Sequence, residues 1–154
     1  MSEQTNSIEL CSSELESITS DVSLCSPQVP QQCRFMTFGG PTQSYHDRVQ
    51  KICSQAQSFD FFTHIHGFTE KDLQEDTLFW EKHGSFVENN PRGYGFWLWK
   101  PYLIQRTLQE MNENDVLVYC DAGCTLNLRG ITRFHEYMSM LEQNSFGIQN
   151  AISP

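Results

Sequence analysis

The ten residues DVLVYCDAGC, positions 115–124, constrain the fold more than any other stretch. Val116-Leu117-Val118-Tyr119-Cys120 is a short, apolar or weakly polar run, and Asp121-Ala122-Gly123 ends it at once. Such a run, bounded by polar turns, predicts a strand buried on both faces, the usual condition of a central parallel strand. The break leaves a carboxylate at the strand end. In open α/β sheets ligands bind in the crevice beyond the carboxyl ends of the strands, which makes Asp121 the leading candidate for a functional acid.

The rest of the chain keeps the rhythm of a layered α/β fold. Arg34-Phe35-Met36-Thr37-Phe38 reads as a strand, ended by Gly39-Gly40-Pro41. Residues 44–57 place Tyr45, Val49, Ile52 and Ala56 on one stripe beside Cys53, as a helix packed on one face does. Residues 59–68, FDFFTHIHGF, are a second strand candidate, and Thr69-Glu70-Lys71-Asp72 resembles a helix start with a variant capping box. The helix or helices that follow use Leu73, Leu78, Phe79 and Trp80 and stop near Gly84, before a polar loop over 85–92. Trp97, Pro101, Ile104, Leu108 and Met111 then share a face, predicting a helix that begins at about Trp97 or Pro101. Ile131, Phe134, Met138 and Leu141 mark another one-faced helix, and residues 146–153 are a last strand candidate. The expected architecture is a mostly parallel, Rossmann-like sheet with flanking helices.

Length and charge limit the function classes. A chain of 154 residues supports one domain, and eleven Phe, five Tyr and three Trp supply its core. Residues 1–33 hold five acids and no Lys or Arg, so they read as a loosely ordered acidic tail before a domain spanning 34–154. The whole chain carries a formal net charge of -9 and no Lys/Arg cluster, which argues against nucleic acid as a partner. No apolar run is long enough to span a membrane. The polar start MSEQTNSIEL is not a secretory leader, so the six cysteines are expected to be reduced and the setting cytoplasmic.

Several residues besides Asp121 can carry chemistry. A carboxylate beside a glycine at a strand end can take one position on a divalent ion while phosphate oxygens approach the backbone; as a plain alternative, Asp121 caps a turn. Gly93-Tyr94-Gly95 permits close backbone approach, and the aromatics after it can wall a pocket for a flat or sugar-like ligand. Lys100 can offer a positive charge to a phosphate. Trp97 reads as core and Trp99 as the better pocket residue, while Gly39-Gly40 either meets a nucleotide or makes a tight turn. His64 and His66 share a strand face without a third ligand nearby, and Cys120-x3-Cys124 is not a zinc knuckle. Arg48 and Lys51 read as solvated helix residues, with contact to a ligand as the alternative, and Arg129 and Arg133 as surface residues, with electrostatic aid to the site as the alternative.

The motifs FTEKDL, FWEKHG, RGYGFWLWKPYLI and DVLVYCDAGC, in that order, resemble a family of glycosyltransferase-like proteins with the nucleotide-sugar-binding GT-A fold. The resemblance runs from about Arg34 onward and is most specific over 92–101 and 115–124. It implies an incomplete GT-A-like sheet and transfer of a sugar from a nucleoside-diphosphate sugar to a hydroxyl acceptor. It further implies Mn²⁺ or Mg²⁺ held at Asp121, with Lys100 as a second charge on the departing diphosphate. Gly39 and Gly40 would lie near the nucleotide, Tyr94, Trp99 and Lys100 near the donor cleft, and Gly123 among the cofactor-binding residues. Gly123 stands where the family motif has its last acid. A GT-A domain usually runs longer, so the resemblance also allows a non-catalytic or split binding fragment, an interaction module with a protein partner that completes the domain.

Overall fold

The computed structural model describes residues 32–143, a small mixed α/β domain whose three-stranded sheet is parallel throughout. The strand candidate over 146–153, the helix pattern of the acidic tail and nearly all of that tail lie outside the described residues. No helix among the described residues is long and apolar enough to cross a membrane.

Strand β1 (Cys33–Phe38) lies at the centre, with β2 (His64–Phe68) on one side and β3 (Val116–Tyr119) on the other. The period of two sorts its residues between two cores. Phe35 faces Ile52 and Ala56 of α1 (Gln43–Gln57), with Ile65, Val118 and Cys120 packed around them. Met36 and Phe38 face the other way, into a larger cluster with Phe68, Leu73, Phe79, Val87, Trp99 and Leu103. Both faces are covered, as a parallel sheet requires. Leu73, Phe79 and Leu103 are fully buried, which contributes about 1.5–3 kcal/mol for each side chain.

The central position of β1 corrects the expectation that residues 116–120 form the central strand. Those residues are all half-buried, and β3 pairs only with β1 among the described residues. Its apolar composition reflects cover on its two faces and says nothing about its edges. Likewise, only the second half of FDFFTHIHGF is a strand. Phe59, Phe61 and Phe62 instead gather around Phe134 of α6 (Ile131–Gln143), with centroid separations of 4.9–6.4 Å. Pairing starts where the Thr63 backbone and hydroxyl both donate to the Cys33 carbonyl, at 2.8 and 3.1 Å.

The helical layer on the Met36 face begins as the sequence predicts. The Asp72 carboxylate accepts from the Thr69 backbone N–H at 2.7 Å and from its hydroxyl at 2.9 Å, fixing the start of α2 (Glu70–Glu75). Helix α3 (Thr77–Asn89) then runs straight through Gly84, where a stop was expected. A β-carbon there would lie 2.9 Å from the Trp80 indole, so this glycine makes room for a ring of its own helix. The extension buries Val87. Asp76, at the N-cap of α3, also receives Tyr102 at 2.6 Å and Arg106 at 2.7 Å from α5 (Trp99–Gln109).

Between α3 and α5 lies the short element α4 (Gly93–Phe96), which is left-handed. Gly93, Tyr94, Gly95, Phe96 and Trp97 all have positive φ, from 50 to 79°. An L-residue in that region costs roughly 1–2 kcal/mol, and here three are not glycine. Trp97 therefore cannot begin α5. The buried stripe of that helix is Trp99, Leu103 and Thr107, turned away from the one predicted through Trp97, Pro101 and Leu108.

Candidate functional site

With β1 between β2 and β3, the chain leaves β1 toward one side of the sheet and reaches β3 on the other. The carboxyl ends of β1 and β3 thus flank a topological switch point, the usual place for a ligand in an open α/β sheet. Two groups from opposite faces border the loop that follows β3.

Asp121 lies two residues beyond Tyr119 and, by strand periodicity, on the same face. The first turn of α5 brings Lys100 to that face. Lys100 Nζ donates to Asp121 Oδ1 at 2.9 Å, and the Tyr119 hydroxyl donates to the same oxygen at 2.5 Å. The ammonium also lies 4.9 Å from the centre of the Tyr119 ring and 5.8 Å from that of Trp99, so it is held by charge and by two aromatic faces. The Asp121 side chain is 62% exposed and that of Lys100 31%, so the pair is accessible from solvent.

The electrostatics follow from these contacts. Burial opposes ionisation of Asp121, but the hydrogen bonds from Tyr119 and Lys100 and the Lys100 charge outweigh it, holding the carboxyl below its ordinary value. Burial pushes the Tyr119 hydroxyl up, and the hydrogen bond to Asp121 and its charge add to the effect, so Tyr119 remains a donor at neutral pH. The Cys120 thiol, turned toward the α1 face, is pushed up to about 11, chiefly by burial.

This arrangement overturns the expectation of Mn²⁺ or Mg²⁺ at Asp121. Among the described residues, no group of three or more His, Cys, Asp or Glu side chains is placed to hold a metal ion. A lysine ammonium already holds one Asp121 oxygen, and Gly123 brings no second carboxylate. The metal-dependent transferase reading, and manganese with it, falls on the same observation, since its donor set is not there.

The other sequence candidates divide between the crevice and the core. A β-carbon on Gly39 would meet Val49 Cγ2 at 2.7 Å and the Tyr45 carbonyl at 2.9 Å, so its bareness admits α1. One on Gly40 would meet the backbone nitrogen and side chain of Glu70, whose carboxylate is bonded to His46 Nε2 at 2.8 Å. Gly123 differs. Only Arg48 Nη1 comes within 4.0 Å of its missing β-carbon, which leaves the backbone there open to an incoming group. Tyr94 is half-buried against Phe38, its hydroxyl 3.5 Å from Gln74 Nε2.

The two tryptophans exchange the places expected of them. Trp99 is 5% exposed, stacked on Phe38 with centroids 3.9 Å apart, and its Nε1 donates to the Gly93 carbonyl at 3.0 Å. Trp97 is 47% exposed. The left-handed turn is the cause, because it sets the helical phase two residues later.

Two further members of the crevice, Tyr119 and Arg48, are not among the residues predicted to form the site. Tyr119 shares a strand face with Asp121, a relation that the period of two makes legible in sequence. Arg48 has only the weaker signal of a cation on the solvated face of α1, which allows ligand contact without pointing to it. It extends from α1 over the Tyr45 ring, 5.6 Å from its centre, and no carboxylate among the described residues lies within ion-pairing distance of it. A shallow cavity of about 330 Å³ lies elsewhere, between the last turn of α1 at Gln55 and Ser58 and the loop from Thr125 to Leu128. It contains no charged group and is remote in the chain from Lys100, so the charged crevice is the better candidate. Comparison of the chain with family models, with curated proteins and with solved structures gave no match.

Proposed function

We propose that this domain is a GT-A-like binding module without a catalytic metal, taking an anionic ligand of the nucleotide-sugar type in the crevice beyond β1 and β3. The reading is supported chiefly by the state of Asp121, whose carboxylate orients Lys100 and Tyr119. A lysine so held can bind a phosphate oxygen as a fixed point charge. Arg48 adds a second cation beside the open backbone of Gly123. With Asp121 ionised, the crevice keeps a net positive charge through Arg48, while Lys100 offers its remaining N–H donors to a phosphate oxygen. The GT-A likeness bears on the ligand class by analogy of fold, while the chemistry rests on the two cations.

Calorimetric titration of UDP-, GDP- and ADP-sugars in the presence of EDTA tests this. Binding is expected without metal, unchanged by Mn²⁺, and weakened about tenfold or more in Lys100→Ala, as loss of one charge-assisted hydrogen bond implies. A folded, monodisperse protein that binds none of the panel would refute the reading.

A further inference from the structure

Building on the anion-binding reading of the crevice, we infer that the shallow cavity between α1 and the loop after β3 receives the base of a nucleoside diphosphate whose phosphates lie in the crevice, and that it selects uracil. Arg48, Lys51 and Gln55 recur at i, i+3 and i+7, so they lie along one stripe of α1. The loop after β3 follows that stripe. Arg48 Nη1 lies 4.0 Å from the place of a β-carbon on Gly123, and two turns further on the Leu126 N–H donates to Gln55 Oε1 at 3.0 Å. At about 1.5 Å per residue the two contacts stand about 10 Å apart along the helix, a gap that a diphosphate and its ribose can bridge. Charge falls away over the same distance. Arg48 and Lys51 are exposed, and among the described residues no carboxylate lies within ion-pairing distance of either. The cavity beyond them has no charged residue in its lining. Cations followed by a neutral pocket complement a molecule that is anionic at one end and neutral at the other.

The lining of the cavity specifies the neutral end. Its volume of about 330 Å³ suits a small ligand, and Phe59 and the half-exposed Leu128 give it apolar walls. Its two amides are oriented by backbone. Gln55 Oε1 accepts from Leu126, and Asn127 Oδ1 accepts from the Arg129 N–H at 3.0 Å, so each side chain is left with its NH₂ group to offer. The Ser58 hydroxyl donates to the Ser54 carbonyl at 3.1 Å and keeps its lone pairs as acceptors. Two donors and an acceptor complement the two carbonyl oxygens and the imide N–H of uracil. Adenine, cytosine and guanine each carry an exocyclic amino group, which sets a donor against these amide donors.

The test is calorimetric titration of the full chain, in EDTA, with inorganic pyrophosphate, UDP, ADP, CDP and GDP. UDP is expected to bind about tenfold or more tighter than pyrophosphate and than the other three nucleotides. Gln55→Glu and Asn127→Asp each keep the oxygen that accepts from the backbone and replace the amide donor by an acceptor. Each is expected to remove most of the advantage of UDP over pyrophosphate, a ratio that cancels the effect of the added charge on the phosphates. Circular dichroism and the thermal midpoint establish that each variant is folded. The base site is overturned, and the crevice left standing, if pyrophosphate binds as tightly as UDP, if the other nucleotides match UDP, or if both variants keep the UDP advantage. If neither pyrophosphate nor any nucleotide binds, the crevice reading fails and the base site with it.

Discussion

Replacing Asp76 by alanine probes how the helical layer is held in place. The Asp76 side chain is 12% exposed and accepts three hydrogen bonds, from the Phe79 backbone, the Tyr102 hydroxyl and Arg106. Losing an N-cap costs about 1 kcal/mol. Losing the charged partner leaves a tyrosine hydroxyl and a one-third-exposed guanidinium without their acceptor, a further 1–3 kcal/mol, roughly, after allowance for solvent at Arg106. The expected total is about 3 kcal/mol. At about 2.1 cal/mol/K of unfolding entropy per residue, spread over roughly 110 residues, that lowers Tm by about 13 °C. Asp76→Asn retains a capping oxygen and is expected to cost less. The pH dependence follows from the depressed carboxyl, on which burial works upward but the Tyr102, Arg106 and Phe79 hydrogen bonds prevail. The unfolded chain then binds the proton more readily than the native one. The stabilisation is complete above the ordinary aspartate value of about 4 and is lost as pH falls through the lower folded value. Urea unfolding of wild type and Asp76→Ala at neutral pH and at successively lower pH measures both effects. A difference under about 0.5 kcal/mol at neutral pH, the scatter expected of an unremarkable surface substitution, would show that the network does not hold α3 to α5.

Other perturbations read different parts of the molecule. Gly67→Ala sets a β-carbon against Val49 and 2.9 Å from Cys53 Sγ, so α1 must shift from the sheet; a loss of about 1–3 kcal/mol is expected in chemical denaturation. Mn²⁺ or Mg²⁺ at millimolar concentration is expected to leave Tm unchanged, whereas a resident metal site would raise it by mass action, as scanning calorimetry with and without EDTA will show. Burial pushes the Cys33 thiol up to about 12 and Cys120 to about 11, so iodoacetamide followed by peptide mapping is expected to label exposed Cys124 well before either. Equal labelling rates at these three positions would contradict the burial of β1.

Much of the fold is legible from local pattern. The stripe through Val49, Ile52 and Ala56 yields α1, and Thr69 with Asp72 yields the start of α2, because each depends on neighbours in the chain. What escapes depends on distant neighbours or on unusual backbone. An apolar run does not reveal which strands flank it, so β3 reads as central when β1 is. Gly84 reads as a stop when its bareness accommodates Trp80. The left-handed turn through Trp97 shifts the phase of α5, turning Trp99 inward and Trp97 out. At the candidate site, Asp121 and Lys100 are both legible and do meet, but as an ion pair in place of a metal site. Arg48 joins the site only once α1 is laid beside Gly123.

Metal-free occupancy of the crevice is tested most directly by mapping amide chemical shifts of ¹⁵N-labelled protein on addition of UDP in EDTA. The largest shifts are expected at Asp121, Ala122 and Gly123, with smaller ones at Arg48 and Lys100, and all should vanish in the Arg48→Ala, Lys100→Ala double variant. No shifts, or shifts confined to the cavity between Gln55 and Leu128, would contradict the account.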